Sequence, residues 1–284
     1  MDNTLRYGRF NSSQNHRACG VKGVTVFKTY KSEKDFKEGK RSLKNFSIQN
    51  EASSFAKEKG LFMIEVLPEV ADAFYTYAEE KASERFMGRS VDTKVTVRSM
   101  LWGKLMEVVL FNLLGLEYEM VHKQTLVHPK YDFWSGTPDL KTPIKVGEIK
   151  CYEPKKFAAL SRCLLKKDVE LLKSNFKEEY WQVVSNAIIL GVDVAEIMAY
   201  MPYRSELLEI INEVQESNFL ESNDLNPQDY FYWLNEDNID SLPYLPDDSK
   251  ASNINKFEFE VPKDDIVFLT ERIIMANEEA EKLL

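Results

Sequence analysis

The sequence is short of cysteine, of long apolar runs and of net positive charge, and each shortage bears on what the chain can be. Three cysteines in 284 residues, Cys19, Cys151 and Cys163, make an odd number without a Cys-x-x-Cys pair. That argues against a disulfide framework, a zinc ribbon or an iron–sulfur cluster, and the three read as reduced thiols. No run approaches the roughly 20 apolar residues that a membrane-spanning helix requires, and no apolar stretch follows a basic start. A soluble, cytoplasmic protein without membrane contact is expected. Internal repeats and low-complexity tracts are also missing. The hydrophobic content of 44% is ample for a buried core, and the length allows one large domain or two small ones.

The net charge of -9 is unfavourable for binding a polyanion, but it is unevenly spread. Residues 17–44 carry 9 Lys/Arg against 3 Asp/Glu, whereas residues 204–284 carry 6 against 20. A basic segment can meet phosphates while an acidic region lies elsewhere; a solvated lysine-rich loop explains the same numbers equally well.

Along the chain, residues 1–60 are polar, with short apolar pieces such as Val24-Thr25-Val26-Phe27. Helical spacing recurs from Pro68 to Met87 and from about Val97 to Leu114, where Gly115 ends it. Strand-like stretches follow near 117–127, 131–140 and 144–151, the last two joined by the turn Lys141-Thr142-Pro143. Residues 155–175 and 178–190 read as helices, and Val194–Met201 as a buried strand that ends at Pro202. Residues 216–256, rich in Asn, Asp, Ser and Pro around the aromatic knot Tyr230-Phe231-Tyr232-Trp233, read as an irregular acidic excursion. A strand from Lys256 to Val261 and a helix from Lys263 to Leu284 complete the chain.

The informative stretch is Ser135-Gly136-Thr137-Pro138-Asp139-Leu140, followed by Val146-Gly147-Glu148-Ile149-Lys150-Cys151. Side chains alternate in a strand, so Glu148 and Lys150 share a face about 6–7 Å apart, with Ile144 and Val146 on that same face and Ile149 on the other. An acid and a base on an otherwise apolar surface must be paired or must bind something. A tight hairpin brings Asp139 beside Glu148, and two adjacent carboxylates repel unless a proton or cation lies between them. Mg²⁺, which favours hard oxygen ligands, fits, with Mn²⁺ as the alternative. The plain alternative is a Glu148–Lys150 salt bridge on a solvated hairpin. The Pro-Asp turn at this distance before Glu148-Ile149-Lys150 looks like the PD-(D/E)XK nuclease signature. The fold expected from it is α/β (α+β), with a restriction-endonuclease-like core in which a central mixed sheet is flanked by helices.

Glu107 lies in Leu105-Met106-Glu107-Val108-Val109-Leu110-Phe111, a helical stretch apolar almost all round. Its carboxylate therefore either pairs with Lys104 or points at the sheet and completes the acidic site. Gln182 shares a helix face with Glu178, Ser185 and Asn186, and by itself reads as solvated.

Trp102-Gly103-Lys104-Leu105-Met106-Glu107 resembles the WGxxxE helix of the lambda exonuclease and YqaJ-like viral recombinase family. Leu5-Arg6-Tyr7-Gly8-Arg9-Phe10-Asn11-Ser12-Ser13 is similar to its LRxGxxTxS segment, with Asn11 where threonine is usual. Phe74 to Lys81 is similar to its TYxxEK helix, and Tyr180-Trp181-Gln182-Val183 to its YxxQV helix. Order and spacing hold from residue 5 to about 203, and the C-terminal helix also fits.

The resemblance implies a single nuclease domain over 1–284, with Asp139, Glu148, the Ile149 carbonyl and Glu107 as metal ligands and Lys150 as the catalytic lysine. It puts Gln182 in the site, and Arg6 with Ser13 on a 5'-terminal phosphate, a task suited to the planar guanidinium fork. It further implies 5'-to-3' degradation of one strand of linear double-stranded DNA from a phosphorylated end. Phage-type recombination, a phage or prophage source, a ring-shaped trimer around DNA and a single-strand annealing protein as partner also belong to it. Two departures stand out: a basic insertion over 17–60, and an acidic insertion over 216–256 without a counterpart. Other readings are a restriction-type endonuclease, a CRISPR-associated exonuclease, whose cluster would need a fourth cysteine, and a non-catalytic DNA-binding assembly protein.

Overall fold

The computed structural model describes residues 6–91, 97–121 and 124–284, and the chain divides into two compact units. One comprises residues 1–18 and 77–284; the other is Cys19–Thr76.

The larger unit is built on a five-stranded mixed sheet. Its spatial order is Ile254–Glu260, Val194–Tyr200, Lys145–Lys150, Leu140–Lys141 and Glu119–Met120, with only the Lys145–Lys150 and Val194–Tyr200 pair parallel. A parallel neighbour needs a crossover, and the helices Pro154–Leu164, Val169–Asn175 and Lys177–Leu190 supply it. The hairpin expected across Lys141-Thr142-Pro143 is present. Leu140 faces Gly147, and the Thr142 amide donates to the Lys145 carbonyl at 2.8 Å. A second small sheet sets Phe10–Asn11 parallel to Trp134–Gly136, with Leu126–Val127 on the other side.

Several boundaries differ from those expected. The strands described in the stretches near 117–127 and 131–140 are only two or three residues long; in the second, Pro138 cannot donate to a ladder and separates Trp134–Gly136 from Leu140–Lys141. Ile144 does not join the face of Val146 and Glu148; it sits in the turn, 71% exposed. Residues 155–175 form two helices, separated where Lys167 takes a positive φ of 52° and Asp168 caps the next helix through the Leu171 amide. Asp72, rather than Pro68, begins the helix to Met87, since Glu69–Val70 pairs with Val21–Lys22. Arg204–Glu216 is a helix the sequence reading did not contain, with Leu207, Ile210, Ile211 and Val214 buried at helical spacing.

The excursion after that helix is irregular but anchored. Short turns at Phe219–Ser222, Pro227–Asp229 and Glu236–Ser241 hold Tyr230, Trp233, Leu234, Ile239 and Leu242 in one core with helix Arg98–Leu113. The Tyr230 hydroxyl donates to the Leu101 carbonyl at 3.2 Å, and the Arg98 guanidinium lies 4.9 Å from the Trp233 ring centre. Leu105 is fully buried at the centre of this core. Leu105→Ala is expected to cost ~3–4 kcal/mol in urea unfolding, from lost transfer energy plus a cavity.

Cys19–Thr76 has its own three-stranded antiparallel sheet, ordered Lys44–Phe46, Val26–Tyr30 and Phe62–Val66, covered by helix Gln49–Lys59. Many of its lysines are matched locally: Lys37 with Glu33, Lys40 with Asp35, and Lys44 over the rings of Phe46 and Phe55. Cys151 and Cys163 are buried free thiols. No helix among the described residues is long and apolar enough to cross a membrane.

Candidate active site

Strand alternation turns Val146, Glu148 and Lys150 to one face, and the helix Lys177–Leu190 packs against that strand. The hairpin then brings Asp139 beside Glu148. Beyond Leu140 the neighbouring strand ends, so the Ile149 amide donates to Asp139 Oδ2 at 2.7 Å instead of to a ladder partner. Amide and carbonyl of one strand residue point to the same edge, which leaves the Ile149 carbonyl oxygen on the Asp139 side.

Glu148 is 1% exposed and surrounded by donors. Lys150 Nζ reaches Glu148 Oε1 at 2.8 Å and Gln182 Oε1 at 3.0 Å. Gln182 Nε2 donates to Glu148 Oε1, and Asn186 Nδ2 to Glu148 Oε2 at 3.3 Å. Gln182 is therefore turned into the cluster, contrary to the solvated face that its helix neighbours suggest. Asn186 was not singled out from the sequence; its stripe with Gln182 and Ser185 lies on a helix whose other residues from Tyr180 onward are apolar or aromatic.

Glu107 comes from helix Arg98–Leu113 and lines a cleft of about 340 Å³ together with Asp139, Ile149, Thr137 and Pro138. Lys104 lies on the same cleft, whose lining also includes Asp224, Asn226, Asp229 and Tyr230 from the excursion.

The charges in this cluster are frustrated. Burial, then the Asp139 carboxylate, pushes Glu148 up to about 8, although Lys150 pulls it down. Burial raises Asp139, and burial followed by the Asp139 carboxylate holds Glu107 well above the usual carboxylate range. Burial would lower Lys150, but the carboxylates of Glu148 and Asp139 outweigh it, so the ammonium is held more firmly than usual. Three acids against one lysine leave a site that favours added positive charge.

Among the described residues, no three carboxylate, imidazole or thiol side chains converge tightly enough to enclose a metal ion alone. The oxygens of Asp139 and Glu148, with the Ile149 carbonyl at the same edge and Glu107 on the cleft, are nevertheless a hard donor set suited to Mg²⁺ or Mn²⁺.

Neither Arg6 nor Ser13 contacts the carboxylates among the described interactions. Ser13 is exposed on the turn Ser12–Arg17, and Arg6 is partly buried, its carbonyl accepting from the Arg9 amide at 3.4 Å. The neighbouring Ser12 is the buried one. Its hydroxyl meets Ser185 Oγ at 2.8 Å, and Trp134 Nε1 donates to that same oxygen at 2.8 Å. The N-terminal segment thus reaches the helix that carries Gln182 and Asn186.

No family model matches the chain, and no curated protein matches it. Solved structures do. An alkaline exonuclease, LHK-Exo, from Laribacter hongkongensis aligns at a TM-score of 0.52 with 12% identity over 98% of this chain and 90% of that one. The same enzyme in complex with dAMP aligns at 0.51 with 11% identity, covering 98% and 91%. A phage-related exonuclease from Haemophilus somnus 129PT aligns at 0.51 with 14% identity, over 99% of this chain and 97% of that one. The mixed α/β fold expected from the sequence is the one found, and these exonuclease structures share it.

Proposed function

We propose that this chain is a metal-dependent deoxyribonuclease that hydrolyses phosphodiesters at Asp139, Glu148 and Lys150, assisted by Glu107 and Gln182. The observation that carries the reading is the half-buried Asp139 beside the buried Glu148, with Lys150 at 2.8 Å from Glu148, placed at the end of a hairpin in an exonuclease fold.

Asp139, Glu148, the Ile149 carbonyl and Glu107 would hold Mg²⁺, or Mn²⁺ in its place. The cation would neutralise charge on the phosphate oxygens and ease deprotonation of the attacking water. Lys150, kept protonated by its carboxylate neighbours, is suited to stabilising developing negative charge on the phosphate rather than to acting as a base. Gln182 bridges Lys150 and Glu148, and so keeps the ammonium aimed along the strand face.

The finer assignment rests on the resemblance to the lambda exonuclease group. It is 5'-to-3' removal of nucleotides from one strand of linear duplex DNA, starting at a 5'-phosphate held by Arg6 with Ser13 nearby. The same resemblance supports phage-type recombination in the cytoplasm of a bacterial host, a homo-oligomer such as a trimer, and a single-strand annealing protein as partner. The acidic region 204–284 offers that partner a docking surface.

The test is digestion of linear duplex with and without a 5'-phosphate, beside a covalently closed circle, with and without Mg²⁺. Linear DNA with the phosphate is expected to disappear first and the circle to persist, while Lys150→Ala reduces digestion to background. Cutting of the circle would favour a restriction-type endonuclease and sink the exonuclease reading. Full activity of Lys150→Ala would sink the site assignment.

A further inference from the structure

We infer that Asn186 is a positioning residue for the metal site, fixing the rotation of the Glu148 carboxylate; this rests on the nuclease reading. Asn186 stands one helical turn beyond Gln182, so the two amides share a face of helix Lys177–Leu190. They divide the carboxylate between them. Gln182 and Lys150 take Oε1, and Asn186 takes Oε2 at 3.3 Å. A carboxylate held at one oxygen can still swing about its last bond; held at both, its plane is set, and with it the lone pairs available to a cation.

Two further observations make this more than a chance contact. Asn186 is 1% exposed, and its Oδ1 has no hydrogen-bond partner. A buried amide with half its capacity unused is disfavoured for stability alone, which an apolar side chain of the same size would serve better. Its position is also tightly enclosed. A Cβ on Gly136 would overlap both Asn186 Oδ1 and Ser12 Oγ, so the absence of a side chain at 136 is what admits the amide. Ser185, the preceding residue, is pinned by Ser12 and Trp134 at 2.8 Å each, which holds this turn of the helix in register. Outer groups that orient a metal-ligating carboxylate commonly contribute ~10–100-fold to metal affinity or activity.

Asn186→Leu tests this, because it keeps the branched shape, with somewhat greater bulk, while removing both the donor and the unpartnered oxygen. Mn²⁺ binding is followed without DNA by the loss of the free-ion paramagnetic resonance signal, alongside melting temperature and the kcat and KM for linear duplex. Half-saturation by Mn²⁺ is expected to rise ~10-fold and kcat to fall ~10–100-fold, with KM for DNA and melting temperature little changed. Asn186→Ala provides a second removal of the donor should leucine fail to pack. Asn255→Ala removes another buried amide, one that bonds Ser161 Oγ at 3.2 Å away from the site, and is expected to leave Mn²⁺ binding unchanged. Wild-type Mn²⁺ affinity and kcat within about twofold in a folded Asn186 variant would overturn the inference while the nuclease reading stands. A wild-type protein that neither binds Mn²⁺ nor digests DNA would overturn both.

Discussion

Replacing Asp139 with asparagine is expected to lower DNA digestion by about 10³-fold or more while making the metal-free protein more stable. The two effects have one origin. Asp139 crowds a second carboxylate against Glu148 and is the next cause, after burial, of the raised Glu148 pKa. Asparagine has nearly the same shape, and its Oδ1 can accept the Ile149 amide that Asp139 Oδ2 accepts at 2.7 Å. Its Nδ2 offers Glu148 a donor where there was a charge. Relief of that repulsion should be worth ~1–3 kcal/mol, or about 3–8 °C in melting temperature for a chain of this size. The metal-induced rise in melting temperature should disappear in the same variant. A destabilised, still active Asp139→Asn protein would show that this residue serves the fold and not the chemistry.

The second large effect concerns pH. Glu148 goes from an ordinary value of 4.5 in the unfolded chain to about 8 in the folded one. Between those values the folded state holds a proton that the unfolded state has released, so stability is full below about pH 4.5 and falls as pH rises through 8. At about 1.4 kcal/mol per unit, this single group can remove as much as ~5 kcal/mol across the window. Without metal, the melting temperature should fall by roughly 10 °C between pH 5 and pH 8. Saturating Mg²⁺ should restore most of that loss at pH 8, by binding the folded state alone, and little at pH 5, where Glu148 is already protonated. Thermal melts at the two pH values, with chelator and with Mg²⁺, check this. Equal metal-induced shifts at both would rule out Glu148 as the group responsible.

How much of this could be read from the sequence depended on how local the cause was. The approach of Asp139 to Glu148 was legible because a short turn and strand alternation fix it within ten residues. The buried helix carrying Glu107 was legible from its apolar surroundings. From the residues alone Gln182 and Asn186 were not, since a polar stripe on a helix reads as solvated until one knows what packs on it; only the resemblance put Gln182 in the site, and what packs there is a buried carboxylate 34 and 38 residues away in sequence. Ser13 was singled out by the resemblance rather than by its own surroundings, and it is exposed. It is Ser12 that is buried, because its partners Ser135 and Ser185 come from distant segments. The helix Arg204–Glu216 had a readable period, but its acidic residues merge with the acidic stretch that follows.

The pairing of Phe10–Asn11 with Trp134–Gly136, and of Ser12 with Ser185, also bears on how the molecule is made. These contacts span 123 to 173 residues. At the ordinary pace of synthesis, the first dozen residues wait on the order of ten to thirty seconds before Ser185 is even formed. Contacts of such span are slow to close. The turn of helix that holds Gln182 and Asn186 against Glu148 can thus be locked only late, so an incomplete chain has its carboxylates before it has the supports that arrange them.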